Sequence, residues 1–200
     1  AIPAILSDRT SWFLTAVSFV PRSSITFLYI SSSRWENSSS HLHSAAAFPE
    51  FISFKNRSMV IRKKLKDMID QNGETVLNVS SMRILETSFE SMRFVNQNDL
   101  KKKLYVIFDR NRKTVDMGGP TREWMSKLAK EIFNTKYGLF DCSSKMTYQP
   151  SDVSNIQPLY LEHFRYAGIF VARALMEGQC IDAHLTTSFI KQILHQKLAL

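Results

Sequence analysis

Hydrophobic and polar positions change their rhythm near residue 50. From about Phe51 the apolar residues fall at helix-face spacing: Phe54, Ile61, Leu65, Met68 and Ile69 share one side, and Arg62, Lys63, Lys64 and Lys66 occupy others. This predicts a helix ending near Asn72-Gly73, where glycine can take the left-handed cap. Val76-Leu77-Asn78-Val79 is short and β-branched and reads as a strand, followed by a second helix carrying Leu85, Phe89 and Met92. Asn98-Asp99 offers a capping side chain for a turn into Lys101-Lys102-Lys103. The unbroken apolar run Leu104 to Phe108 fits a buried strand, and Asp109 to Lys113 is a polar turn.

The string that follows is the most distinctive in the chain: Thr114-Val115-Asp116-Met117-Gly118-Gly119-Pro120-Thr121-Arg122-Glu123-Trp124. Adjacent glycines open backbone angles closed to other residues. Pro120 stands where a first helical residue lacks a hydrogen-bond partner in any case, and Glu123 suits the positive end of a helix dipole. The predicted helix buries Trp124, Leu128 and Ile132, with Met125, Ala129 and Phe133 beside them. By chemistry alone this is a strand-loop-helix element. It is not a phosphate loop, because neither Gly-x-x-x-x-Gly-Lys-Ser/Thr nor Gly-x-Gly-x-x-Gly occurs.

Lys136 to Phe140 closes that helix. Residues 141–158 read as an irregular polar connection around a short extended piece at Met146-Thr147-Tyr148. Leu161, Phe164, Gly168, Val171 and Leu175 mark the apolar face of a long helix, which Tyr160, Ala167 and Ala174 widen, so two sides should be buried. Gly168 inside it costs about 1 kcal/mol against alanine, which implies close approach of another backbone. Gly178 ends this helix, and Leu185, Phe189 and Ile193 mark a last one running on to Leu200.

Residues 1–50 show no such rhythm. They hold twelve serines and two apolar patches, Trp12 to Val20 and Ile25 to Ile30, both shorter than the roughly 18 residues of a membrane span. The expectation is a serine-rich leader, disordered or not part of the fold; the apolar core of a secretory signal is the alternative weighed against it. His41 and His43 have no partner ligands nearby, so no metal site is expected there. The domain division is therefore 1–50 and 51–200.

Apolar residues make up 44% of the chain and charged residues 22%, enough to bury a core and inconsistent with a wholly disordered or collagenous protein. Residues 1–50 balance three basic against three acidic side chains, so the whole excess of +8 lies in 51–200. A basic domain attracts nucleic acid, anionic membrane or acidic protein surfaces, and charge alone does not choose among them. Two cysteines are too few for a disulfide scaffold or a four-thiolate zinc site, and they point to a reducing compartment. Cys142 sits in a predicted polar loop and Cys180 beside Ile181; neither has the neighbouring cation that activates a thiolate. His163 and His184 lack a local Ser or Cys partner. Asp116, Arg122 and Glu123 form a charge group that reads as an anion or acid/base site or, more plainly, as ion pairs pinning loop to helix. The residues alone give an α-rich domain without a complete catalytic constellation.

Val115-Asp116-x-Gly118-Gly119-x-x-Arg122-Glu123-Trp124, with its flanks, resembles the N-terminal lobe of HECT-type ubiquitin ligases. The likeness takes in Phe51-x-x-Phe54-Lys55 with Arg62-Lys63-Lys64-Leu65, Ser81-x-Arg83-x-Leu85-Glu86-x-Ser88-Phe89, and Lys103-Leu104-x-Val106-x-Phe108. It continues through Glu131-Ile132-Phe133-Asn134-x-x-Tyr137-Gly138-Leu139-Phe140, Leu161-x-x-Phe164-x-x-x-Gly168, Ala172-x-Ala174-Leu175, Asp182, and Phe189-x-x-x-Ile193-Leu194. The chain departs from the family in its basic turn Asp109 to Lys113, in Asn134-Thr135 where many members have Asn-Pro, and in Met117 where some relatives carry an aromatic residue facing ubiquitin.

The resemblance implies an α+β, mainly helical fold with a few short strands and a partial HECT domain over 51–200. It implies a ligase that takes ubiquitin as a thioester from a conjugating enzyme and passes it to substrate lysines. The nucleophilic cysteine belongs to a C-terminal lobe outside this sequence. Asp116, Gly118, Gly119, Arg122, Glu123 and Trp124 are then structural rather than catalytic residues, with no metal and no cofactor. The implied partners are ubiquitin and a conjugating enzyme, with no nucleic acid and no membrane span, and the implied location is the cytoplasm or nucleus. The alternative reading is a non-catalytic ubiquitin- or ligase-binding module.

Overall fold

The computed structural model describes residues 54–96, 98–109 and 119–193. The leader 1–50, both its apolar patches, His41 and His43, the turn after Asp109, and Asp116, Met117 and Gly118 lie outside the described residues, as does the continuation of the last helix. The described elements run α1 (Phe54–Asp67), β1 (Asp70–Val79), α2 (Ile84–Arg93), β2 (Lys102–Phe108), α3 (Gly119–Ile132), β3 (Phe140–Cys142), β4 (Thr147–Pro150), α4 (Tyr160–Met176), β5 (His184–Leu185) and α5 (Thr187–Ile193). The architecture is α+β, with five helices and two small sheets among the described residues.

β1 and β2 pair in parallel, joined by α2 in a strand-helix-strand unit, with Leu77 opposite Val106 and Val79 opposite Phe108. Leu77, Val79, Leu104 and Val106 alternate onto the buried face. β1 begins six residues before the predicted strand, and α1 correspondingly stops at Asp67 rather than Asn72. The last turn tightens through Met68 N–H to Leu65 O (3.2 Å) and Ile69 N–H to Lys66 O (3.1 Å). Gly73 does adopt a positive φ of 132°, but as an irregularity inside β1, where the register shifts between Asp70 and Glu74.

The second sheet was only half visible in the sequence. β3 and β4 form an antiparallel hairpin with Cys142 opposite Tyr148, so Cys142 stands on a strand rather than in a loop. β5 adds in parallel, pairing Leu185 with Tyr148. A two-residue strand whose partner lies more than thirty residues away leaves no periodic trace.

α4 is the central element. Phe164 and Gly168 of its predicted face are buried, whereas Leu161, Val171 and Leu175 are only half-buried. Tyr166, Ile169, Phe170, Ala172, Arg173 and Met176 are also buried, so the helix is enclosed on more of its circumference than the predicted stripe. Aromatic contacts bind the layers around it: Trp124 of α3 meets Phe170 edge-on at 5.9 Å, and Phe140 of β3 touches Phe133, Phe164 and Phe189.

Candidate functional site

The strand-loop-helix element is anchored at both ends. At the β2 end, Asp109 has φ 49°, and its N–H donates to Val79 O at 2.8 Å. Its Oδ1 accepts the Ser81 N–H at 3.0 Å. The hydrogen bonds from Ser81 hold the Asp109 carboxyl below the ordinary carboxylate range. One aspartate thus ties the exit of β2 to the entry of α2.

At the helix end, Trp124 is wholly buried and its Nε1–H donates to Ser88 Oγ of α2 at 2.8 Å. Ser88 is itself fully buried, so this bond satisfies a donor that has no access to water. The spacing predicted the Trp124 stripe, and Trp124, Met125, Leu128, Ala129, Ile132 and Phe133 are all buried. It gave no sign of Ser88 as the partner, because the two lie 36 residues apart.

Three details of the motif differ from expectation. Gly119 already lies in α3 without a positive φ, and a Cβ built there meets nothing within 4 Å, so this glycine is not needed for a special backbone angle. Glu123 falls beyond the first turn and pairs with Lys127 at 2.6 Å, an exposed i,i+4 bridge, instead of joining Arg122. Arg122 is exposed and lines a cleft described below.

The candidate nucleophiles stand apart from one another. Cys142 is half-buried, its Sγ contacts Ser143 O at 3.5 Å, and its cross-strand neighbour is Tyr148. Burial first, and the nearby thiol second, push the Tyr148 phenol up. Cys180 is exposed; it and His184 line the same cleft, but no hydrogen bond joins them. His163 is half-buried, its ring stacked on Phe89 at 4.2 Å and its Nδ1 at 3.0 Å from Leu159 O. Burial lowers its pKa below the ordinary 6.5. Among the described residues no three His, Cys, Asp or Glu side chains could hold a metal ion, and no helix is long and apolar enough to cross a membrane.

The most deeply buried charge among the described residues was missed by the sequence. Arg173 of α4 donates through Nη1 to Leu100 O at 2.9 Å and through Nη2 to Glu177 Oε1 at 2.6 Å. Desolvation lowers its pKa and Glu177 opposes that shift. An arginine embedded in an apolar helix repeat could have signalled an internal partner.

Two adjoining clefts flank the turn after α4. One, about 440 Å³, is walled by apolar side chains of α1, α4 and residues 181–185. The other, about 300 Å³, is lined by Arg62, Lys66, Lys103 and Arg122.

Residues 126–200 match the family model for the HECT-domain (ubiquitin-transferase). The chain is 35% identical over 153 residues to E3 ubiquitin-protein ligase UPL2 of Arabidopsis thaliana, covering 75% of this chain and 4% of that protein. It is 34% identical over 142 residues to E3 ubiquitin-protein ligase Smurf1 of Drosophila melanogaster, covering 70% of this chain and 13% of the relative. Against E3 ubiquitin-protein ligase TOM1 of Saccharomyces cerevisiae it is 27% identical over 154 residues, 76% of this chain and 5% of the relative. The chain belongs to the HECT family. It spans only a small part of the length of these curated relatives.

Proposed function

We propose that residues 51–200 form the N-lobe-like scaffold of a HECT ubiquitin ligase and that the ubiquitin-accepting cysteine lies outside this sequence. The observation that carries this reading is the setting of the two thiols. Cys142 contacts a carbonyl, and Cys180 is not hydrogen-bonded to the histidine sharing its cleft. A thiolate that accepts an acyl group requires a base, a cation or a helix N-terminus to form at neutral pH.

In the complete domain, that outside thiolate would attack the thioester carbonyl on the conjugating enzyme. The enzyme's thiol would leave, and a substrate lysine would then attack the new thioester. This chain would contribute rigidity. Asp116, Gly118, Gly119, Arg122, Glu123 and Trp124 are proposed as structural residues of the scaffold; Trp124, bonded to Ser88, fixes α3 against the β1-α2-β2 unit. Ubiquitin and a conjugating enzyme are the proposed partners of the whole domain. The proposed location is the cytoplasm or nucleus, where both thiols stay reduced.

The test is a reconstituted charging reaction with ubiquitin, activating enzyme and a panel of conjugating enzymes, resolved on non-reducing gels. The expected result is no reductant-sensitive ubiquitin adduct on this chain. An adduct lost in Cys142→Ser or Cys180→Ser overturns the reading.

A further inference from the structure

The two clefts around the turn after α4 are chemically unlike and adjacent. Arg62, Gly178 and Gln179 line both. The larger cleft is walled by Ile61 and Leu65 of α1, Val171 and Leu175 of α4, and Ile181 and Leu185 beyond it. Val171, Leu175, Ile181 and Leu185 are each only half-buried, so apolar surface remains open to an occupant. The smaller cleft gathers four basic side chains from α1, β2 and α3 against one carboxylate, Glu177, whose Oε1 accepts from buried Arg173. Lys103 directs its Nζ to the Tyr105 hydroxyl at 2.7 Å, which leaves Arg62, Lys66 and Arg122, all exposed, as the groups an acidic ligand would meet.

We propose that the joined clefts form a docking groove for an acidic peptide segment of a protein partner, with a large apolar side chain as its anchor. The anchor enters the cleft between α1 and α4, and the carboxylates meet Arg62, Lys66 and Arg122. Charge complementarity selects the occupant. Arg62 and Lys66 stand one helical turn apart on α1, a spacing of about 6 Å that matches two carboxylates one turn apart on a helical segment. A free phosphate would use the basic half and leave the apolar half empty. Single-stranded nucleic acid binds on aromatic stacking surfaces, whereas among the described residues lining either cleft Phe133 is buried and His184 is the one exposed aromatic ring. The groove does not depend on the ligase reading, since neither Cys142 nor Cys180 acts in it.

The probe is a fluorescein-labelled helical peptide of about fifteen residues, long enough to hold a helix, with Leu along one face and Glu at i,i+4 pairs beside it. Anisotropy is measured on the full 200-residue chain. The acidic peptide is expected to saturate and to weaken as salt rises. Replacing its Glu by Gln, or its Leu by Ala, weakens it at least about tenfold, or 1.4 kcal/mol. The double variant Arg62→Glu/Lys66→Glu removes binding while its thermal melt stays unchanged, because both side chains are solvent-facing. Amide shifts mapped on the unaltered chain fall on α1, the start of α3 around Arg122, the end of α4 and residues 178–185. Equal binding of the Gln peptide, full binding by the double variant, or shifts elsewhere overturn the proposal. Tight labelled poly-uridine binding that the double variant abolishes gives the basic cleft to nucleic acid and overturns it as well.

Discussion

The contact between α2 and α3 and the rim of the apolar cleft treat reactive atoms in opposite ways. At the first, the Trp124 indole N–H is sealed from water and bonded to Ser88 Oγ, itself sealed. At the second, the Cys180 thiol and His184 are exposed in the same cleft, with no bond between them. A buried polar group must find its partner, because leaving it unmade costs the full desolvation penalty. An exposed one is satisfied by water and carries little structural consequence. Of these two described regions, the contact between α2 and α3 is therefore the more constrained by folding, and the cleft rim is the more loosely specified.

That contrast can be broken at several strengths. Trp124→Ala is expected to cost the most, about 3–5 kcal/mol in urea unfolding, from the cavity and the lost Phe170 contact. Arg173→Met should cost about 2–3 kcal/mol by the same measurement, since Leu100 O loses a charged donor and Glu177 its partner. Ser88→Ala keeps the indole packed and orphans its N–H, so about 1–3 kcal/mol is expected. An effect as large as that of Trp124→Ala would show that Ser88 does more than accept one bond.

A fourth effect depends on pH. Burial favours neutral His163 in the folded chain, so its folded pKa lies below the unfolded value of 6.5. Below that value the unfolded state binds protons first. Stability is full above 6.5 and is lost as pH falls through the folded value. Denaturation midpoints followed from pH 8 to 5 should fall less steeply in His163→Phe; identical slopes would remove His163 from the balance. The smallest effect belongs to Cys180→Ser, expected within about 0.5 kcal/mol of the unaltered chain because its side chain is exposed. A larger loss would mean that the cleft rim is as constrained as the Trp124 contact.

Legibility in the sequence tracked the distance over which each feature is decided. The stripe from Trp124 to Ile132, the helix through Phe89 and Met92, and the stop at Gly178 were readable, because helix periodicity repeats every few residues. The need for a positive φ at Gly73 was readable too, although the strand around it was not. The Glu123 assignment failed because the helix already includes Gly119, which puts Glu123 beyond the first turn, where it pairs with Lys127. The sequence showed only that His163 lacks a local Ser or Cys partner; its stacking on Phe89, 74 positions earlier, reveals why its charge is disfavoured.

The amino-acid order by itself determined the helices, the main core residues and the HECT family likeness, all of which are written in local spacing and ordered motifs. Tertiary structure alone decided that Ser88 accepts the Trp124 N–H hydrogen bond, that Arg173 is buried against Leu100 O, that β5 completes a sheet begun at Phe140, and that two clefts share Arg62. The physical reason is the same throughout. Hydrophobic period is a property of neighbours along the chain, whereas the satisfaction of a buried polar group and the shape of a groove depend on partners that only folding brings within reach.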